Sequence, residues 1–133
     1  MTKILDTAFK TVKFTDCKLM GLRFEECNDF LFSVSFSNCQ LNFSSFFKLK
    51  LKKIHFKNCM LQEVDFAQTD LSNSTFTDCD LSGALFSRSN LEKSDFRTSF
   101  NYSIDPVQNR LKKTLFSREG VVGLLDRFNI IIE

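Results

Sequence analysis

From Leu31 to Phe96 one apolar residue returns every five positions, with leucine and phenylalanine alternating: Leu31, Phe36, Leu41, Phe46, and so on without a miss. Two residues earlier in each group stands a small or apolar side chain, among them Val34, Cys39, Ser44, Ile54, Cys59, Val64, Cys79 and Ala84. A helix would space apolar positions by three and four, and a strand by two. A period of five fits a short strand followed by a corner, with two side chains pointing in and three pointing out.

Cys39, Cys59 and Cys79 recur at twenty residues, always three after a phenylalanine and two before a leucine. If four pentads close one coil, these thiols stack on one side. Phe36, Phe56, Phe76, Phe96 and Phe116 stack on that register too, as do Leu51, Leu71, Leu91 and Leu111. A two-sided coil would also match the Phe/Leu alternation but leaves the cysteine spacing unexplained. The predicted fold is all-β: a right-handed quadrilateral parallel β-helix of about five to six coils, its core ~27 Å long at one strand spacing per coil.

The pentads Thr69-Asp70-Leu71-Ser72-Asn73, Cys79-Asp80-Leu81-Ser82-Gly83 and Ser89-Asn90-Leu91-Glu92-Lys93 match the consensus A(D/N)LXX. The chain thus resembles the pentapeptide-repeat proteins over roughly residues 4 to 116. The resemblance implies the same β-helix over residues 1–116, a non-enzymatic role, and a bacterial setting.

Before residue 31 the pattern runs in a shifted register through Ile4, Phe9, Phe14, Leu19 and Phe24. Adding two residues aligns Phe14 with Phe36 and Leu19 with Leu41. A two-residue insertion is therefore expected within residues 25–30, leaving the side taken by Cys27 open. Beyond Phe96 the rule loosens, with Asn101 and Pro106 in the expected core slots before Leu111 and Phe116 resume. Asp105-Pro106 reads as a cap with proline in the first helical position.

Residues 117–133 change period. Ser117 can cap a helix with Val121, Leu124, Leu125 and Phe128 on one face, Asn129 is a stop, and Ile130, Ile131 and Ile132 read as a short strand. An open coil end exposes core and unpaired backbone, so the expected element is a capping α-helix. This tail is similar to that of the quinolone-resistance (Qnr-type) and microcin-immunity branch of the family, and by that resemblance a homodimer through the tail is expected.

Two surfaces stand out. Phe30, Phe32, Phe43 and Phe47 lie off the inward positions, with Lys48, Lys50, Lys52 and Lys53 close behind. Either a register irregularity tucks the rings away, or they form an aromatic protein-binding patch with a basic rim. Bases interleaved with aromatics would also suit single-stranded nucleic acid, but the block is short and the net charge only +2, so no nucleic-acid partner is expected. From 58 to 105 acids predominate, with Glu63, Asp65, Asp70, Asp78 and Asp80 as a candidate acidic face. Along the chain, charge therefore looks polarised down the rod axis.

Composition narrows the chemistry. Seventeen phenylalanines against one tyrosine follow from the repeat. Five cysteines without a CxxC pair give neither a disulfide framework nor a zinc site; they serve as small hydrophobes, with a soft-metal thiol ladder as the sharper alternative. The lone His55 has no catalytic partners, and no phosphate loop or metal spacing appears. No cofactor, no catalytic residue, no membrane span and no signal segment are expected, which points to the cytoplasm. The functional expectation is a rigid scaffold binding another protein. The family resemblance implies an alternative: a DNA mimic that binds DNA gyrase and gives protection against quinolones or a toxin.

Overall fold

The computed structural model describes residues 11–26 and 33–133. Phe30, Phe32 and Cys27 lie outside the described residues. Strand β1 (Thr11–Thr15) pairs with β2 (Ser33–Ser37), β2 with β3 (His55–Lys57), and β3 with β4 (Thr75–Thr77), all parallel and in one sheet. The other sides of the coil pair through single parallel bridges, such as Gln40 with Met60, Ser45 with Asp65 and Lys50 with Asp70. Every such step is twenty residues, so four pentads make each turn of a parallel β-helix. Lower down, Phe14 pairs with Phe36, Lys18 with Gln40 and Arg23 with Ser45. That offset of twenty-two places the expected two-residue insertion between the first two coils.

The pairing dictates the core. Phe14, Phe36, Phe56, Phe76, Phe96 and Phe116 form one stacked column, with ring centroids 4.5 to 5.6 Å apart. Phe24, Phe46, Phe66 and Phe86 form another, and the two columns meet edge to face at about 6 Å. Offset stacks and edge contacts are the arrangements the aromatic quadrupole favours. Each fully buried ring contributes about 2–3 kcal/mol by removal from water.

The small inward positions do a second job. Thr69, Ser89, Ser94 and Ser99 donate their hydroxyls to the carbonyls of Phe46, Phe66, Leu71 and Phe76 in the coil before. Cys39, Cys59 and Cys79 point their thiols at the carbonyls of Phe14, Phe36 and Phe56 in the same manner. Burial pushes the Cys39 thiol up to about 11, and contact with the Cys79 thiol together with burial pushes Cys59 up as well. Cys39 and Cys59 are thereby held as protonated structural groups, while the Cys59 thiol's hydrogen bond draws Cys79 below the usual thiol value. No group of three or more His, Cys, Asp or Glu that could hold a metal ion occurs among the described residues.

Corners are made two residues after most core leucines and phenylalanines. Asn58 (φ 52°), Asn73 (58°), Lys53 (62°), Lys93 (61°) and Phe43 (63°) are all left-handed there. Such backbone is comfortable for asparagine and costly for bulkier side chains. At the same corner as Phe43, two coils on, stands Gly83 (φ 71°), where a Cβ would meet the Glu63 carboxylate at 2.7 Å.

Two expectations need correction at the far end. Asn101 is exposed and takes a corner (φ 63°), while Tyr102 and Ile104 enter the core; the Tyr102 ring packs on Phe96 and Phe116. Pro106 is half-buried within a turn, and Asp105 Oδ1 accepts the Val107 N–H at 2.9 Å, closing that corner. The tail is not an α-helix. It makes 3₁₀ turns at Gly120–Leu124 and Asp126–Phe128, and residues 130–132 form no strand.

The reason lies at Gly123. Its carbonyl accepts the Ile104 N–H at 2.9 Å, which docks the tail on the last coil and competes with the Arg127 amide that an α-helix would bring to it, although Val121 still donates four residues back to Ser117. Leu125, Phe128 and Asn129 instead donate to Val122, Leu125 and Asp126, three residues back. A Cβ on Gly123 would meet the Tyr102 carbonyl oxygen at 2.2 Å, so only glycine permits this approach. Ser117 does cap the tail, its Oγ accepting the Gly120 N–H at 2.9 Å, and Asn129 ends it in a left-handed conformation.

Candidate functional site

With the interior filled by side chains, function must lie on the outer faces and their corners. Phe43 and Phe47 flank the side carrying Ser45. Phe43 is 68 % exposed at its left-handed corner, while Phe47 is half-buried beneath the Lys48 ammonium, 5.2 Å above its ring. Between them opens a shallow cavity of about 450 Å³, lined also by Gly21, Arg23, Glu25, Glu63 and Asp65. The two rings thus border one concavity.

The candidate acids are not brought onto one face. Asp65 stacks with Ser45 and Leu85, Asp70 with Lys50 and Asn90, and Asp80 with Met60 and Phe100, on three separate sides. Their carboxylates close corners: Asp65, Asp70 and Asp80 accept the N–H groups of Ala67, Ser72 and Ser82 at 2.8 to 3.0 Å. Burial alone would raise Asp80, but the Ser82 N–H and hydroxyl, with the Asn101 and Gln62 amides, hold it below the usual carboxylate range. The D/N of each repeat is therefore explained by turn geometry. Asp78 and Glu63 occupy exposed corners.

The fold also sorts the cations, in a way that linear order conceals. The pentads 49–53, 69–73, 89–93 and 109–113 stack as one side. On it, Lys50 lies in register with Arg110, and Lys53, Lys93 and Lys113 share one left-handed corner column with Asn73. Lys52 and Lys112 stand just inside that column, and Lys48 and Arg88 line the opposite corner. All nine are exposed. Among the described residues of this side only Asp70 and Glu92 oppose them, reached by Lys52 at 3.9 Å and by Arg110 at 3.1 Å. The side across the rod holds no lysine or arginine in pentads 39–43, 59–63, 79–83 and 99–103, and Lys18, in register with Gln40, is its cation among the described residues. The charge is polarised across the rod rather than along it.

The tail leaves much of its apolar surface outside. Leu124 packs on the core and Leu125 is half-buried. Val121, Phe128, Ile130 and Ile132 are 40 to 56 % exposed, and Ile131 85 %. The 3₁₀ pitch breaks the single face that α spacing would have made from positions 121, 124, 125 and 128.

This side-by-side stacking of pentads agrees with a family match. The family model described as "Pentapeptide repeat region" matches residues 49–121. The chain belongs to the pentapeptide-repeat family. Among solved structures it is similar to trypsin-treated QnrB1, a plasmid-mediated fluoroquinolone resistance protein, with 16% identity over 97% of this chain and 95% of that one and a TM-score of 0.36. It is also similar to the pentapeptide-repeat protein Rfr23 from the cyanobacterium Cyanothece 51142, with 14% identity over 80% and 88% and a TM-score of 0.36. A third is HetL, a pentapeptide-repeat protein involved in heterocyst differentiation regulation in Nostoc sp. strain PCC 7120, with 14% identity over 82% and 62% and a TM-score of 0.34. Comparison with curated proteins gives no match. No helix among the described residues is long and apolar enough to cross a membrane.

Proposed function

We propose that this chain is a non-catalytic scaffold, a right-handed four-sided rod of about five to six coils, that binds another protein through the edge formed by Phe43 and Phe47. One observation carries the reading. Phe43 holds a left-handed backbone that disfavours bulky side chains, and it exposes 68 % of its surface while doing so. An asparagine would serve the corner better and expose no ring, so the fold does not itself call for the aromatic. Exposed aromatics beside a concavity are the anchors that protein interfaces use.

The test is capture of a partner from cell extract by wild type and by the double variant Phe43→Asn/Phe47→Ser, each shown folded by circular dichroism. Loss of a specific captured protein in a folded variant supports the reading. Undiminished capture would move the binding edge elsewhere.

The scattered acids and the basic side weigh against the DNA-mimic alternative, which needs a continuous negative surface. Exposed Phe128 and Ile130–Ile132 support a further reading, that a second copy covers the tail. Sedimentation should then show a dimer that Ile131→Asp converts to monomer. Free, buried thiols at Cys39, Cys59 and Cys79 fit a reducing, cytoplasmic compartment.

A further inference from the structure

We infer that the side built from pentads 49–53, 69–73, 89–93 and 109–113 binds the phosphate backbone of double-helical nucleic acid without reading its sequence. Among the described residues, nine exposed cations against two carboxylates gather on this side and its flanking corners, although the chain's net charge is only +2. They stand on a rigid lattice: Lys53, Lys93 and Lys113 repeat along one corner, fixed by backbone bonds from Lys53 to Ser72, Asn73 to Glu92 and Lys93 to Lys112 at 2.9 to 3.1 Å. Four rungs at the strand spacing extend ~14 Å along the axis. A rigid array of like charge presents its field with little ordering cost when a polyanion arrives.

The chemistry of the face selects the occupant. Among the described residues no large apolar side chain is exposed between its corners; the nearest, Val107, stands at the outer corner. A protein interface would want a buried aromatic or aliphatic anchor there, and none is offered. A single strand would want exposed rings on which to stack its bases; Phe47, at the edge of this side, is half-buried beneath the Lys48 ammonium, and Phe43 belongs to a different corner. Lysine, arginine and amide side chains such as Asn73 and Asn90 match phosphate oxygens, which position a duplex without specifying it. The earlier expectation of no nucleic-acid partner rested on net charge and on a short linear block. Both quantities miss residues brought together from four coils.

Fluorescence anisotropy with a labelled duplex of about twenty base pairs tests this. The wild type should bind with micromolar affinity at 50 mM salt and weaken more than tenfold at 200 mM, since released counterions set the affinity. The variant Lys53→Asn/Lys93→Asn/Lys113→Asn removes three charges while giving each corner the residue that already occupies it at Asn73. It should fold at least as stably as wild type, bind at least tenfold more weakly at 50 mM salt, and lower the log–log salt slope by about 2.7. Phe43→Asn alone, which leaves the Phe47 ring under Lys48 in place, should bind the duplex within twofold of wild type, which separates this face from the Phe43 corner. Three results would overturn the inference: no duplex binding by folded wild type at 50 mM salt, tighter binding to the matching single strand, or attachment to anionic phospholipid vesicles with none to the duplex. Unchanged binding by the lysine variant would overturn it as well.

Discussion

At the scale of single residues, the positions that matter most are those where two demands conflict. Phe43 occupies a corner that asparagine fills at 38, 58 and 73. Phe43→Asn should therefore raise stability by up to about 1 kcal/mol by relieving the left-handed conformation, read as a higher midpoint in urea, while weakening partner capture. A stability loss instead would show that the ring is packed. Asp80 makes the opposite case, because its charge and its corner agree. Its folded pKa lies below the unfolded value, so its contribution is present above about pH 4 and is lost as pH falls through the lower, folded value. Asp80→Asn keeps an oxygen for the Ser82 N–H and should flatten that part of the pH profile. Asp80→Ala should lose about 1 kcal/mol at neutral pH, measured by chemical denaturation.

Among elements, the thiol column and the tail behave differently. Cys59 and Cys79 fill the role that Ser99 fills on the same side, Ser94 on a neighbouring side and Ser89 on the opposite one, donating to a carbonyl one coil away. Cys59→Ser should change stability by no more than about 1 kcal/mol, and the native thiols should resist alkylation until the rod unfolds. Phe66→Ala, in contrast, removes one member of a stacked column and should cost about 3–5 kcal/mol. In the tail, Gly123→Ala forces a Cβ against the Tyr102 carbonyl. It should release residues 117–133, seen as faster amide exchange at Ile104, and leave protection in the central coils intact.

For the whole molecule, repetition makes a rod whose function depends on how its sides are dressed. One side gathers nine cations, the opposite side carries Lys18 among its described residues, and exposed apolar residues stand at Met20, Phe43, Met60 and at points from Leu85 to Ile132. A rod so divided can engage different partners on different sides. Duplex binding that survives loss of the Phe43 edge is the expected sign of this division.

The fold was legible from the sequence because a repeat states its constraint many times. The five-residue period with its twenty-residue cysteine spacing fixed the number of sides, the inward residues and the two-residue insertion before β2. The D/N preference at the corners was visible too, though only the bonds from Ala67, Ser72 and Ser82 show that it serves the turn and not a partner. Tertiary structure decided the rest, for two physical reasons. Local pattern cannot foresee a competing long-range hydrogen bond, so the carbonyl of Gly123, taken by Ile104, replaced an expected α-helix with 3₁₀ turns. Linear charge order cannot foresee which residues share a side, so lysines and arginines from four separate coils became one surface only when the chain wound upon itself.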